Sequence, residues 1–208
     1  MTTNGMLLND EVTAFLTQHN IGTVLSIDGR KEIHDYNRYT KSGEGSYDRV
    51  VANYLAFKDH SEDYVARGTY THRNLDFYRD VEVLRDLGFG HLSMEPVIGG
   101  DITETDLPAI EESYNQLADL YLDWYREKKP LDFFHFNIAL RGGPCIYKRI
   151  TACGAGTEYL AFTPTGDVYP CHQLIEKPEY LMGNIIEETY RDALRLKFVE
   201  TMAESQRS

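Results

Sequence analysis

Three thiols and a few polar residues at the ends of strand-like runs are the groups in this sequence whose types and spacing suit chemistry. The thiols are Cys145, Cys153 and Cys171, the only cysteines in 208 residues. Cys153 and Cys171 bracket an apolar run at 159–162, a turn at Pro164-Thr165-Gly166-Asp167, and a second short run, Val168-Tyr169, closed by Pro170. That pattern predicts a β-hairpin, and a hairpin with a cysteine at each base brings two sulfurs together. Two roles are open to them. Soft thiolates hold iron–sulfur clusters, whereas reduced, buried cysteines also serve as small apolar side chains. An odd count, with no secretory signal segment, argues against a disulfide framework.

The polar candidates lie further upstream. Ser26 and Asp28 close a β-rich run in Ser-Ile-Asp-Gly; Asp-Gly is turn chemistry, or else a hydrogen-bonding pair for a ribose or an amino-acid group. Arg67 and Thr69 sit mid-strand in Val-Ala-Arg-Gly-Thr-Tyr-Thr. An arginine in a buried strand must be paired, so Arg67 is expected to face a carboxylate. Glu95 ends a third strand before Pro96, either as a loop carboxylate or as a functional one. Arg30, Lys31 and Lys41 read as a solvated loop.

These residues need elements to hold them. Asn9 is a plausible N-cap, followed by Asp10 and Glu11 in a first turn and by Val12, Phe15, Leu16 and His19 at helical spacing, with Gly22 as the stop. Residues 23–27 read as strand. Ser46 is expected to cap a helix whose face is Val50, Val51, Tyr54 and Leu55. Residues 64–70 read as strand. Leu75 to Leu87 reads as helix, with Phe77, Val81 and Leu84 inward and Gly88 as its terminator. Residues 91–97 read as strand. Thr105 or Asp106 opens the longest helix, with Ile110, Tyr114, Leu117, Tyr121 and Trp124 on one face and Pro130 at its end. A last helix from about Thr189 carries Tyr190, Leu194, Phe198 and Met202. Strand and helix in alternation predict parallel strands with helical crossovers. The fold class is α/β, about three βα units forming part of a barrel, and in α/β barrels chemistry sits where strands end.

Composition excludes some functions. The net charge is −12, which speaks against a nucleic-acid partner because phosphates would be repelled. No apolar run approaches the ~20 residues that span a bilayer, so no membrane partner is expected and the cytoplasm is the expected compartment.

The words around the cysteines carry a resemblance. Cys153, Gly166 and Cys171 resemble the opening of the SPASM domain, the auxiliary-cluster module of radical SAM peptide-modifying enzymes. Pro144-Cys145-Ile146-Tyr147-Lys148-Arg149, Cys153-Gly154-Ala155-Gly156, residues 166–173 and Met182-Gly183-Asn184-Ile185 are similar to the maturases that build thioether crosslinks in "six cysteines in forty-five residues" peptides. The resemblance implies that Cys145, Cys153 and Cys171 help ligate an auxiliary 4Fe–4S cluster, as a partial ligand set. Upstream, Thr2-Thr3-Asn4-Gly5 looks like the element ending a middle barrel strand of that family, and Arg67-Gly68-Thr69 looks like a later strand whose arginine meets the carboxylate of S-adenosyl-L-methionine (SAM). By that carry-over Ser26, Asp28 and Arg67 are the SAM contacts, residues 1–140 are the C-terminal half of the barrel, and residues 141–208 begin the SPASM domain with its hairpin. The partner implied is a precursor peptide.

Two departures qualify it. The family's Cys-x3-Cys-x2-Cys loop, which holds the SAM-cleaving cluster, is absent from the sequence, as are the later SPASM cysteines. His172 follows Cys171 where sulfatase-maturing relatives place an aspartate that acts as base. The expectation is an interior portion of a longer maturase, catalytically silent alone, that either depends on a complementary chain for the missing barrel half or arises from a truncated gene. The alternatives are a stand-alone peptide- or Fe–S-binding module without catalysis, and a metal-free thiol protein.

Overall fold

A computed structural model of the chain describes residues 1–61, 63–97, 100–137 and 154–205. It divides into two compact units, Met1–Ile138 and Ala139–Ser208.

The first unit is built on a five-stranded sheet in chain order, β1 (Thr2–Thr3), β2 (Thr23–Ser26), β3 (Tyr64–Tyr70), β4 (His91–Pro96) and β5 (Asp132–Phe133), each strand parallel to its neighbour. The crossovers are helical: α1 (Asp10–Gln18), α2 (Lys31–Asn37) with α3 (Tyr47–Lys58), α4 (Tyr78–Asp86) and α5 (Leu107–Arg126). Sequential parallel strands with returning helices make a partial-barrel wall, as the alternation implied. β1 lies at the strand end that the Thr2-Thr3-Asn4-Gly5 resemblance implies, whereas β5 and α2 have no counterpart among the expected elements.

Strand residues alternate between two faces. One face carries Leu25, Ala66, Tyr70, Leu92, Met94 and Phe133, which join Val50, Tyr54, Phe57, Phe77, Val81, Leu84 and Leu117 from the helices in a single apolar core. Burying a side chain of this size contributes about 1.5–3 kcal/mol each before chain entropy is offset. Parallel sheets are usually apolar on both faces; here the second face carries Ser26, Arg67, Thr69, Ser93 and Glu95.

Local signals explain most boundaries. Asn9 Oδ1 accepts the Val12 amide at 3.0 Å and starts α1. Its stop is Asn20, with φ +50°, rather than Gly22. Gly88 ends α4 as expected: the Phe89 amide reaches Leu84 O and the Gly88 amide reaches Arg85 O, the paired bonds of a Schellman cap. In α5, Lys128 turns the chain with φ +58° before Pro130 is reached. The face expected of α3 is shifted: Val50, Tyr54 and Phe57 are buried while Leu55 is exposed.

Gly68 shows how tightly β3 packs on β4. A Cβ there would lie 2.6 Å from Met94 Sδ and 2.9 Å from the Ile27 carbonyl oxygen. Gly68→Ala is therefore expected to destabilise this unit by about 1–3 kcal/mol through overpacking, read as a lower urea midpoint at unchanged slope; an unchanged midpoint would show that the strands part freely.

The second unit holds the hairpin, β6 (Ala161–Phe162) and β7 (Val168–Tyr169), antiparallel with Ala161 opposite Tyr169 and Phe162 opposite Val168. Its turn is closed by Thr163 and Asp167 and held from outside by Asn184. The Asn184 amide nitrogen donates to Thr165 O at 2.8 Å and Asp167 Oδ1 at 2.9 Å, and its Oδ1 accepts the amides of Ile186 and Glu187. The Met182-Gly183-Asn184-Ile185 word is thus a brace for the hairpin. A final helix, α6 (Asp192–Ser205), sets Phe198 edge-on to Tyr180 at 6.0 Å and Arg195 Nη1 on the Gly156 carbonyl at 3.0 Å. Leu194 and Met202, expected on its inner face, are exposed. Among the described residues, no helix is long and apolar enough to cross a membrane.

Candidate functional site

The polar face of the sheet is ordered by strand register. Ser26 pairs with Arg67, Arg67 with Ser93, and Thr69 with Glu95. Side chains at paired positions of parallel strands point the same way, so Ser26, Arg67 and Ser93 form a row and Thr69 and Glu95 the next. Arg67 Nη2 donates to Glu95 Oε2, the carboxylate partner that a mid-strand arginine demands. Glu95 Oε1 also accepts from Ser93 Oγ at 3.3 Å, and Ser93 Oγ lies 3.5 Å from His135 Nε2. The Arg67 side chain remains 43% exposed, so donors are left for a ligand. The Ser26 hydroxyl has no protein partner among the described residues.

The loop after β2 is fixed far more firmly than a solvated loop. Asp28 is 0% exposed. Its Oδ1 accepts from Arg38 Nη2 at 2.8 Å and from the Thr69 amide at 3.0 Å, and its Oδ2 from Arg38 Nε at 2.7 Å. Both oxygens are taken, so Asp28 ties the loop to β3 and presents no free carboxylate. Gly29, at φ +101°, lets the chain pass against α4; a Cβ there would fall 2.3 Å from Asp80 Cβ.

Arg30 departs from the solvated loop that its type and neighbours imply. It is not solvated: its Nε and backbone N–H reach Asp80 Oδ1 at 2.8 and 2.9 Å, its Nη2 reaches Asp80 Oδ2 at 3.1 Å, and Nη1 and Nη2 grip Asp76 at 3.0 and 2.6 Å. Asp80 is 0% exposed and is also held by Asn74 Nδ2 at 3.0 Å. The Arg30 guanidinium pulls the Asp76 carboxyl below its ordinary range, and the hydrogen bond that Arg30 donates to Asp80 leads in raising Arg30 itself. Lys31 is likewise an α2 residue, bridging Asp35 and Asp48 at 2.9 and 2.7 Å. Lys41 is exposed, as read.

Under the loop lies His34, 0% exposed. Its Nδ1 accepts the Asp28 amide at 3.3 Å, which leaves Nε2–H to donate to Ser46 Oγ at 3.0 Å, and Ser46 in turn donates to Arg38 O at 2.6 Å. Ser46 is therefore spent on this chain, and Asp35 Oδ1 caps α3 in its place by accepting the Tyr47 amide at 2.8 Å. Burial is the leading cause that pushes the imidazole below its ordinary range; the charges of Asp28, Arg38, Asp35 and Lys31 act on it in both directions. The neutral form is the folded form. Its contribution to stability is present above about pH 6.5 and is lost as pH falls toward the lowered folded value. Chemical denaturation between pH 7.5 and 5 should show stability falling with acid, and His34→Gln should flatten that slope; equal slopes in both proteins would contradict it.

In the second unit the described thiol is Cys171, 8% exposed. It caps a short 3-10 turn, His172–Leu174, and its sulfur accepts the Gln173 amide at 3.5 Å and the Tyr159 hydroxyl at 3.6 Å, with His172 Nδ1 at 3.7 Å. A neutral thiol is a weak acceptor; donors converging on one sulfur suit a thiolate, the form that binds metal. The donor set therefore fits an iron–sulfur ligand. Cys145 and Cys153 lie outside the described residues. Among the described residues no three His, Cys, Asp or Glu side chains converge as a metal group.

Sequence reasoning missed Tyr159, Asp76, Asp80, Asn74 and His34. Only Tyr159 left a local signal: it opens the apolar run of the hairpin stretch that Cys171 closes.

A family described as SPASM, an iron–sulfur cluster-binding domain, matches residues 153–207. The serine-type anaerobic sulfatase-maturating enzyme of Bacteroides thetaiotaomicron is 27% identical over 215 residues, covering 90% of this chain and 50% of that protein. The cysteine-type enzyme of Clostridium novyi is 23% identical over 219 residues, covering 98% and 56%. Among solved structures, anSMEcpe with bound AdoMet superposes with a TM-score of 0.69 at 17% identity, over 96% of this chain and 58% of that one. Streptococcus suis SuiB bound to its precursor peptide SuiA gives 0.59 at 15% identity, over 95% and 48%. The chain spans about half the length of the curated relatives it matches. The chain is thus similar in sequence to the anaerobic sulfatase-maturating enzymes, shares the α/β fold of anSMEcpe and SuiB, and matches the SPASM iron–sulfur cluster-binding family from Cys153 onward.

Proposed function

We propose that this chain supplies the SAM-facing wall and the opening of the auxiliary-cluster domain of a radical SAM peptide maturase. The observation that carries the reading is the row Ser26, Arg67, Ser93 with Glu95 on the polar face of an otherwise apolar-backed parallel sheet. Residues 1–140 act as the barrel portion and residues 141–208 as the auxiliary-cluster portion. Arg67 offers its remaining donors to the carboxylate of SAM, Ser26 its hydroxyl to the same ligand, and Asp28 holds the loop between them. Cys145, Cys153 and Cys171 supply thiolates to a 4Fe–4S auxiliary cluster. When bound in the whole enzyme, SAM and its clusters supply radical hydrogen abstraction; the protein's part is to bind, orient and exclude water.

The substrate we assign is a ribosomally made peptide, in line with the homology to sulfatase-maturing enzymes and the likeness to a maturase bound to its precursor peptide. The motifs around Cys171 favour thioether installation over side-chain oxidation, since His172 stands at the position of the oxidative relatives' base. The compartment is the cytoplasm, where thiols stay reduced.

Equilibrium binding of SAM to the purified chain tests this. Saturable binding that S-adenosylhomocysteine displaces is the expected result. No binding at millimolar ligand, weaker than about −4 kcal/mol, contradicts the assignment.

A further inference from the structure

We infer that the Tyr159 hydroxyl is a positioning group that sets the reduction potential of the cluster held by Cys171. The inference rests on the proposed reading of Cys171 as an iron ligand. Tyr159 reaches the sulfur because the fold makes it do so. The hairpin pairs Ala161 with Tyr169, and just before it the backbone of Tyr159 bridges back to Ala155. The turn before it fastens that end: the Gly156 amide donates to both Tyr159 O and Pro170 O at 3.1 Å, tying the turn to the residue preceding Cys171. The Tyr159 hydroxyl then donates to Cys171 Sγ at 3.6 Å.

The two firm donors on this sulfur differ in kind. The Gln173 amide belongs to the 3-10 turn that Cys171 caps and is present whatever the side chain. The tyrosine hydroxyl belongs to a side chain and is adjustable. Hydrogen bonds to cluster sulfurs stabilise the more negative, reduced state and raise the potential. A phenylalanine at 159 keeps the ring and removes the donor, so it should lower the potential and leave assembly intact.

The test uses the full chain reconstituted anaerobically with iron and sulfide, titrated potentiometrically and followed by electron paramagnetic resonance. Compared with the parent chain, Tyr159→Phe should bind the same iron and show an oxidised-to-reduced ratio about tenfold higher at a given potential, a midpoint lower by ~59 mV for a one-electron couple. 3-Fluorotyrosine at 159, a better donor of nearly the same volume, should move the midpoint upward. Tyr180→Phe, whose ring packs on Phe198, should leave it unchanged. A fully loaded Tyr159→Phe chain with an unaltered midpoint overturns the inference alone. Loss of the cluster in Tyr159→Phe with retention in the parent also overturns it, by making the residue a scaffold. A parent chain that takes up no iron overturns the inference together with the reading beneath it.

Discussion

Arg30→Ala is expected to destabilise the sheet unit by about 3–5 kcal/mol, because it strands a buried carboxylate. Asp80 is 0% exposed and would keep only Asn74 and the backbone amide of residue 30. Asp76 would lose its bidentate partner as well. For a domain whose total stability lies near 5–15 kcal/mol, that is a large fraction, and thermal unfolding should shift down by roughly 10 °C. Asp80→Asn should cost less, since it removes the buried charge and leaves Arg30 on Asp76. Equal stability of Arg30→Ala and the parent would show that the loop after β2 is not pinned through this pair.

Arg67→Ala is expected to weaken SAM binding by about 10- to 100-fold, the loss of roughly 1.5–3 kcal/mol that a hydrogen bond to a charged group supplies. The side chain is 43% exposed, so screening by solvent places the effect toward the lower end. Folding should change little by comparison, because Glu95 is itself partly exposed, at 31%, and keeps Ser93 Oγ. Glu95→Gln separates the two duties of Arg67: the guanidinium stays, its internal partner weakens, and SAM affinity should hold or rise. Titration calorimetry on the three proteins reads the difference. Unchanged affinity in Arg67→Ala would remove this residue from the ligand site.

The parts of this structure that could be read from residues were those with local causes. β3 spans 64–70 as read, since its alternation is set by the strand's own pleat. The hairpin at 161–169 followed from its turn residues, and the Arg67 carboxylate from the cost of an unpaired charge. The parts that could not be read were held from far along the chain. Arg30 looked solvated because its partners, Asp76 and Asp80, come about fifty residues later. Helix α2 shows a weak apolar pattern, and its anchors, Ser46 for His34 and Asp48 for Lys31, lie outside it. β1 and β5 are two residues each, too short for any periodicity. The type of Ser46 suits a cap for α3, but His34 and Arg38 occupy its hydroxyl.

The central claim is that the Cys171 sulfur is a thiolate ligand to iron. Iron and acid-labile sulfide, counted per chain after anaerobic reconstitution and desalting, test it most directly in the parent and in Cys171→Ser. The account predicts stoichiometric iron and sulfide in the parent and near-complete loss of both in the variant, with the secondary structure of the two proteins alike by circular dichroism. Equal iron in both proteins, or none in either, would contradict it.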